Sequence, residues 1–282
     1  VSKHSPFIGA HYSIAKGFAG AFSAAHKDGA TALQIFAKSP MQAKYRSVHP
    51  DEAAEVSALP FRASLGCTVI HASYLINLAK PEAADSFSIR SVVEDLQSSD
   101  ALHAQGVVLH MGKSLERKLS DAEDTYEKNI RAVIAHSKDS LSPLLLENTA
   151  GQGTEMGWNL DSYVAFLKRF KDTPRVKSCI DTAHLFAAGE NIEKDPKGVA
   201  HKLIDLLGTH TVVAVHLNDS KKECGSRVDR HEDIGYGAIG EKSLATFVRE
   251  LHTLDPHIAF ILETPQTSST YREQIETVTR WF

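Results

Sequence analysis

Cysteine is scarce in this chain of 282 residues: Cys67, Cys179 and Cys224 are the three present, and no two stand in a C-x-x-C spacing. An odd count without paired spacing excludes a disulfide framework and suits a reducing compartment. Cys67 and Cys179 fall inside strand-like apolar runs and read as small core residues, while Cys224 lies in a polar loop. Long apolar runs are missing too. None approaches the roughly 18 residues that suggest a membrane span, and no signal-peptide pattern stands at the start. The expectation is an intracellular protein with no membrane partner, cytoplasmic in a bacterium, nuclear or mitochondrial in a eukaryote. The chain begins at Val1 rather than methionine, as expected where an upstream segment has been removed or left out. Positive charge is not in excess either: 31 Lys and Arg against 35 Asp and Glu give a net charge of −4. Nucleic-acid binding depends on cationic side chains neutralising phosphate, so the total argues against that class unless some acids are themselves neutralised by bound cations.

What is present is a repeated pattern. Six short apolar runs end abruptly in a side chain able to bind a metal: CTVIH at His71, GVVLH at His110, PLLLE at Glu147, VKSCID at Asp181, TVVAVH at His216 and IAFILE at Glu263. The intervals between these ends are 39, 37, 34, 35 and 47 residues. Each is long enough for one strand, one helix and the return, which together need roughly 30 residues. Two further runs, FIGAH ending at His11 and ATALQIF ending at Phe36, bring the strands to eight. Helical patterns lie between them: residues 81–106, opened by Pro81 and stopped by Gly106; residues 119–139; and residues 159–172, with Asn159 or Asp161 as N-cap. Eight nearly continuous apolar strands alternating with helices predict a (β/α)8 TIM barrel over residues 1–282 as a single domain. An open doubly wound sheet is disfavoured, since no Gly-rich dinucleotide fingerprint follows the first strand.

Parallel strands put their C-terminal ends on one face, where such barrels carry their active sites. That face gathers the six strand-end residues. DTAH adds His184 three residues after Asp181, and DRH adds Asp229 and His231, which an extended segment points to one side. The candidate ligands are thus His71, His110, His184, His216 and His231 with Glu147, Asp181, Asp229 and Glu263. Imidazole with carboxylate suits zinc, and manganese or iron less well. Nine groups exceed what one ion takes; they divide among three ions, or two ions with the remainder in support. Closely spaced ions suit in-line displacement at phosphorus, so the ligands alone predict metal-assisted phosphoester hydrolysis, with Glu147, Asp181 and Glu263 as catalytic carboxylates. His11 either supports a ligand from behind or is a rim histidine. Lys38, Gln42, Lys113, Lys221, Arg227 and Arg230 lie on loops after strands, where each faces phosphate or simply solvent.

The segments HASYLINLA, LENTAGQG, DTAHLFAAG, HLNDSK, GSRVDRHEDIG and ILETP resemble the endonuclease IV family of apurinic/apyrimidinic endonucleases, and the resemblance covers essentially the whole chain. It implies a TIM barrel with three zinc ions, one of which manganese could replace. One ion would be held by His71, His110 and Glu147, a second by Glu147, Asp181, His216 and Glu263, and a third by His184, Asp229 and His231. The implied reaction is hydrolysis of the phosphodiester 5′ to an abasic site in duplex DNA, leaving a 3′-hydroxyl and a 5′-deoxyribose phosphate, with trimming of blocked 3′ ends. The bound ions would make the centre net positive, answering the objection from total charge. Tyr74 falls where the family inserts an aromatic side chain at the lesion, and Met41 where bacterial members often carry an arginine that enters the base stack. His110-Met111-Gly112-Lys113-Ser114 stands where many members have HPGS, keeping the ligand but losing the proline and one residue of register, and Ala183 replaces the cysteine of DTCH. DNA contacts are expected from Tyr74, Met41, Gln42, Lys113, Lys221 and Arg230, and a monomer is expected because one barrel holds every ligand. The competing readings are a metal-dependent sugar isomerase or epimerase of the xylose isomerase type, and a silent binder of damaged DNA.

Overall fold

The computed structural model describes residues 5–39 and 46–282. Seven strands come first: β1 (Phe7–Tyr12), β2 (Ala32–Phe36), β3 (Cys67–His71), β4 (Val107–His110), β5 (Leu144–Glu147), β6 (Val176–Asp181) and β7 (Val212–His216). The two-residue strands β8 (Asp219–Ser220) and β9 (His231–Glu232) follow, and then β10 (Ala259–Leu262). β1 to β7 and β10 run parallel and close into a barrel of eight, with β10 seated between β7 and β1. Around it run α1 (Gly17–Lys27), α2 (Pro50–Ser57), α3 (Phe87–Ala101), α4 (Leu119–His136), α5 (Leu160–Leu167), α6 (Thr182–Ala188), α7 (Pro196–Leu207), α8 (Glu241–Leu254) and α9 (Tyr271–Thr279). The expected (β/α)8 barrel is the one observed. No described helix is long and apolar enough to cross a membrane.

Strand side chains alternate between two faces, and here that alternation positions the site. Val69 of β3, Val108 of β4, Leu145 of β5, Cys179 of β6, Ala214 of β7 and Ile261 of β10 form a cluster that fills the barrel interior. Their neighbours Ile70, Leu109, Leu146, Ile180, Val215 and Leu262 belong to the layer shared with the helices. Two residues beyond each interior position stand His71, His110, Glu147, Asp181, His216 and Glu263. Those six therefore continue the inward set at the mouth. Register agrees, with His110 paired to Glu147 and Asp181 to His216 across neighbouring strands.

The insertion after β7 carries the remaining candidates, on a frame built around two buried aspartates. Within it β8 and β9 pair antiparallel. The Asp219 carboxylate accepts hydrogen bonds from the backbone N–H groups of Ser220, Gly235, Gly237, Ile239 and Gly240 at 2.8–3.3 Å. A Cβ on Gly237 would stand 2.5 Å from Asp219 Oδ1, so only glycine permits that approach. Asp233 accepts from the N–H groups of Gln266, Ser268 and Ser269, tying this loop to the one after β10.

Three expectations are corrected. Pro81 does not open α3; Ser86 does, its hydroxyl accepting from Ile89 N at 3.3 Å. Gly106 does not stop it either. The helix ends at Ala101, His103 turns left-handed at φ 52°, and Gly106 instead lies close against the carbonyl of Pro143. Lys38 is not a surface cation: it is 4% exposed, donates to Ser91 O at 2.8 Å and pairs with Asp95 Oδ1 at 2.9 Å. For residues 159–172, Asn159 is the cap, accepting from Ser162 N at 3.0 Å, with Asp161 in the first turn.

Burial pushes Asp95 up to about 7, against the pull of Lys38. Removing the cation alone leaves a buried acid without a partner. Lys38→Met is therefore expected to cost about 3–5 kcal/mol at pH 8, the scale for breaking a buried pair. The folded-state pKa of Asp95 then rises further above its unfolded value, so the folded chain holds a proton the unfolded chain releases. Stability of the variant must fall as pH rises through that range and recover toward pH 5. Urea unfolding of Lys38→Met and of Lys38→Met/Asp95→Leu measures this; a double variant as unstable and as pH-sensitive as the single one contradicts it.

Candidate metal centre at the barrel mouth

The strand ends deliver their polar side chains into one confined space. Glu147, wholly buried, stands at the middle: His110 Nε2 lies 3.1 Å and His71 Nε2 3.5 Å from its Oε2, while His216 Nδ1 lies 2.9 Å from its Oε1. His216 Nδ1 is also 3.1 Å from Glu263 Oε2. The third corner is built by a cap. Asp181 ends β6 and its Oδ1 accepts from His184 N at 2.8 Å, starting α6 and turning His184 back toward the same space. His184 Nε2 lies 3.4 Å and His231 Nε2 3.3 Å from the Asp229 carboxylate, and His231 Nε2 is 3.5 Å from Asp181 Oδ2.

Three groups among the described residues have donor atoms within 4.8 Å of one another: His71, His110 and Glu147; Glu147, Asp181, His216 and Glu263; and Asp181, His184 and His231. Two match sets named above. In the third the structure adds Asp181, with Asp229 facing both histidines from outside.

The imidazoles are oriented from behind. His71 Nδ1 is 2.7 Å from Ala72 O and His184 Nδ1 is 2.9 Å from Asn148 O. A carbonyl only accepts, so both Nδ1 atoms carry protons, and Nε2 is the atom each ring turns inward, free to ligate a cation. His71 Nε2, His231 Nε2 and Glu147 Oε2 are buried with no hydrogen-bond partner among the described residues. Such groups are costly unless something else meets them. All four carboxylates find ion-pair partners only in histidines among the described residues. Burial alone would raise Glu147, yet His216 and His110 hold it well below the usual carboxylate range. Burial likewise pulls His184 down, but Asp181 and Asp229 outweigh it and hold His184 well above its ordinary value. The pocket thus demands positive charge, and its N and O donor set, with unpartnered lone pairs aimed inward, fits divalent cations of the zinc class.

Several contributors went unread in the sequence. Gln34, fully buried on β2, reaches both His216 and Glu263. Asn148 accepts from Asp181 N at 2.8 Å, and Asn218 donates to Asp181 Oδ2 at 2.7 Å while accepting from Glu263 N. The asparagines sit inside the quoted LENTAGQG and HLNDSK segments, directly or two residues after a strand-end ligand; Gln34 shows only as a polar interruption of an apolar strand.

At the rim, Tyr74 is 52% exposed, its ring against Phe36, His71 and His110 at 5.3–5.7 Å, and Leu75 beside it is also exposed. His11 Nδ1 lies 3.2 Å from Glu263 Oε1. Lys113 lies 3.5 Å from Glu155 and Lys221 3.7 Å from Glu232, both side chains exposed; Arg230 is exposed and donates to Asp229 O. Arg227 is employed otherwise, stacked 4.1 Å over Trp158 and donating to Gly151 O, which clamps the loop after β5. Met111 and Ala183 are buried. Met41 and Gln42 lie outside the described residues.

Comparison with known proteins places this arrangement. Residues 22–281 match a family described as a xylose isomerase-like TIM barrel. A probable endonuclease 4 of Symbiobacterium thermophilum is 38% identical over 261 residues, covering 92% of each chain. Endonuclease 4 of Thermus thermophilus is 38% identical over 266 residues, covering 93% of each. The crystal structure of endonuclease IV from another strain of Thermus thermophilus superposes with a TM-score of 0.85 at 34% identity, covering 98% of both chains. By sequence over nearly its full length and by fold, this chain belongs to the endonuclease IV family.

Proposed function

We propose that the protein is a DNA-repair endonuclease of base excision repair, acting as a monomer on duplex DNA at abasic sites. It hydrolyses the phosphodiester 5′ to the lesion, leaving a 3′-hydroxyl and a 5′-deoxyribose phosphate, and removes blocking groups from 3′ ends. The observation that carries this reading is the convergence of three donor groups on one barrel mouth in a chain so close to endonuclease 4 proteins.

In this reading three zinc ions are the cofactor, with manganese able to take one position. His71 and His110 serve the first ion with Glu147; Asp181, His216 and Glu263 serve the second, again with Glu147; His184, His231 and Asp229 serve the third. When bound, such ions lower the pKa of water and take up charge on phosphoryl oxygens. The chain supplies the rest. Glu147 offers one oxygen to the His71–His110 side and the other to His216, so one buried carboxylate ties two groups together. Asp181, held by Asn148 and Asn218, does the same between the second and third. Glu147, Asp181 and Glu263 converge on the space where the scissile phosphate and its attacking water would sit. Tyr74, exposed above His71 and His110, offers a stacking face where the lesion lacks a base. An unpaired nucleotide leaves the stack at lower cost than a paired one. In this reading Lys113, Lys221 and Arg230 meet phosphates, and Met41 and Gln42 contact the DNA as well.

Strand scission of an abasic duplex tests the reaction. Wild type is expected to nick it, a strong chelator to stop it, and Glu147→Gln to slow it by at least about 100- to 1000-fold, the loss that follows removal of a single preorganised hydrogen-bond donor from an active site. Turnover of ketoses without nicking would assign the barrel to sugar isomerisation instead, and binding without nicking would make it a silent damage sensor. For recognition, Tyr74→Ala should weaken binding to abasic duplex by about 1–3 kcal/mol, the worth of one base–aromatic stack, with bound zinc unchanged. Equal affinity of the two proteins in a fluorescence-anisotropy titration removes Tyr74 from the interface.

A further inference from the structure

The side chain behind the second ligand group is Gln34, the polar residue in the middle of β2. It is wholly buried, and its amide is used at both ends. Oε1 lies 2.8 Å from His216 Nε2. Nε2 donates to Glu263 Oε1 and lies 2.9 Å from His11 Nδ1.

Only one orientation of the amide satisfies these contacts. Were it reversed, its carbonyl oxygen would face the Glu263 carboxylate, acceptor against acceptor, and its NH2 would face His216 Nε2. That nitrogen would have to accept, placing the imidazole proton on Nδ1. His216 Nδ1, however, faces Glu147 Oε1 at 2.9 Å and Glu263 Oε2 at 3.1 Å, the space a cation would fill, where a protonated nitrogen offers no lone pair. In the observed orientation Gln34 Oε1 accepts the Nε2 proton, so a cation bound in that space would meet the Nδ1 lone pair. The same amide engages Glu263 Oε1, leaving Oε2 to face the cation.

The geometry points to Gln34 as a positioning residue that selects the His216 tautomer and restricts Glu263 to one-oxygen ligation, fixing two ligands of one ion with a single amide. This rests on the three-cation reading above. It also gives the middle of an apolar strand a reason to hold a fully buried polar group: an amide is at once donor and acceptor, and its two ends meet an imidazole N–H and a carboxylate. Positioning partners of this kind are commonly worth 10- to 100-fold in metal affinity.

The test uses the full chain, stripped of metal and titrated with zinc against a chromophoric chelator. Wild type should bind zinc stoichiometrically, and both Gln34→Leu and Gln34→Met should bind their weakest ion about 10- to 100-fold less tightly. A long-range nitrogen–proton correlation spectrum of zinc-loaded wild type with isotope-labelled histidine should show His216 protonated at Nε2; this needs no variant and stands even if both substitutions impair folding. Unchanged zinc affinity in folded variants overturns the positioning role, even if their unfolding temperature drops, and so does a His216 protonated at Nδ1. Wild type that binds no zinc overturns the three-cation reading itself, and the role of Gln34 falls with it.

Discussion

Side chains of a strand alternate between two faces, and closing eight parallel strands into a barrel turns one of those faces into the interior. The six strand-end residues at the mouth follow from that constraint. Val69, Val108, Leu145, Cys179, Ala214 and Ile261 fill the inside, and the next inward position along each of these six strands is a histidine or a carboxylate. The layer beneath is apolar, so it offers the polar residues above it no hydrogen-bond partners. A one-residue slip in any strand would exchange its ligand for a residue meant to face the helices. The fold and the six strand-end donors are thus specified by the same alternation, while α6 and the insertion after β7 add His184, Asp229 and His231.

Gathering carboxylates in such a place carries an electrostatic cost that the protein itself does not fully meet. Glu147 and Asp181 are fully buried and, among the described residues, find their ion pairs only with histidines. In the absence of other cations the histidines are drawn toward their protonated forms to meet them, and the lowered Glu147 and raised His184 show how strongly the two kinds of group polarise each other. Around this unbalanced centre, the supporting polar groups are closely satisfied. Asn148 and Asn218 hold Asp181, Ala72 and Asn148 carbonyls hold two histidine tautomers, and Asp219 and Asp233 secure the insertion that presents Asp229 and His231. A rigid frame surrounding unsatisfied donors is what preorganised cation binding requires.

The strand-end residues were legible in the sequence because the abrupt change from apolar run to ligand type, repeated at βα-unit spacing, records both the end of a strand and its direction. DTAH was legible for a related reason: three residues after a strand-end ligand the chain is still turning out of the barrel, and the Asp181 cap of α6 is what keeps both side chains together. What stayed hidden depended on contacts distant in the chain. Lys38 looks like any loop cation until α3 brings Ser91 and Asp95 beside it, more than fifty residues on. Pro81 competes with Ser86 for the start of α3, and the hydroxyl cap to Ile89 decides it. Gln34 could be seen as an oddity in an apolar strand, but its partners come from β7 and from the end of β10, on the far side of sequence and near only in the closed barrel.

The central claim is that residues from β3 to β10 jointly hold several cations at one mouth. An anomalous-difference map from crystals of zinc-loaded protein, recorded at the zinc absorption edge, tests it most directly. The account predicts three peaks, one against each donor group, with Glu147 between two of them. A single peak, or peaks away from Glu147, would contradict it.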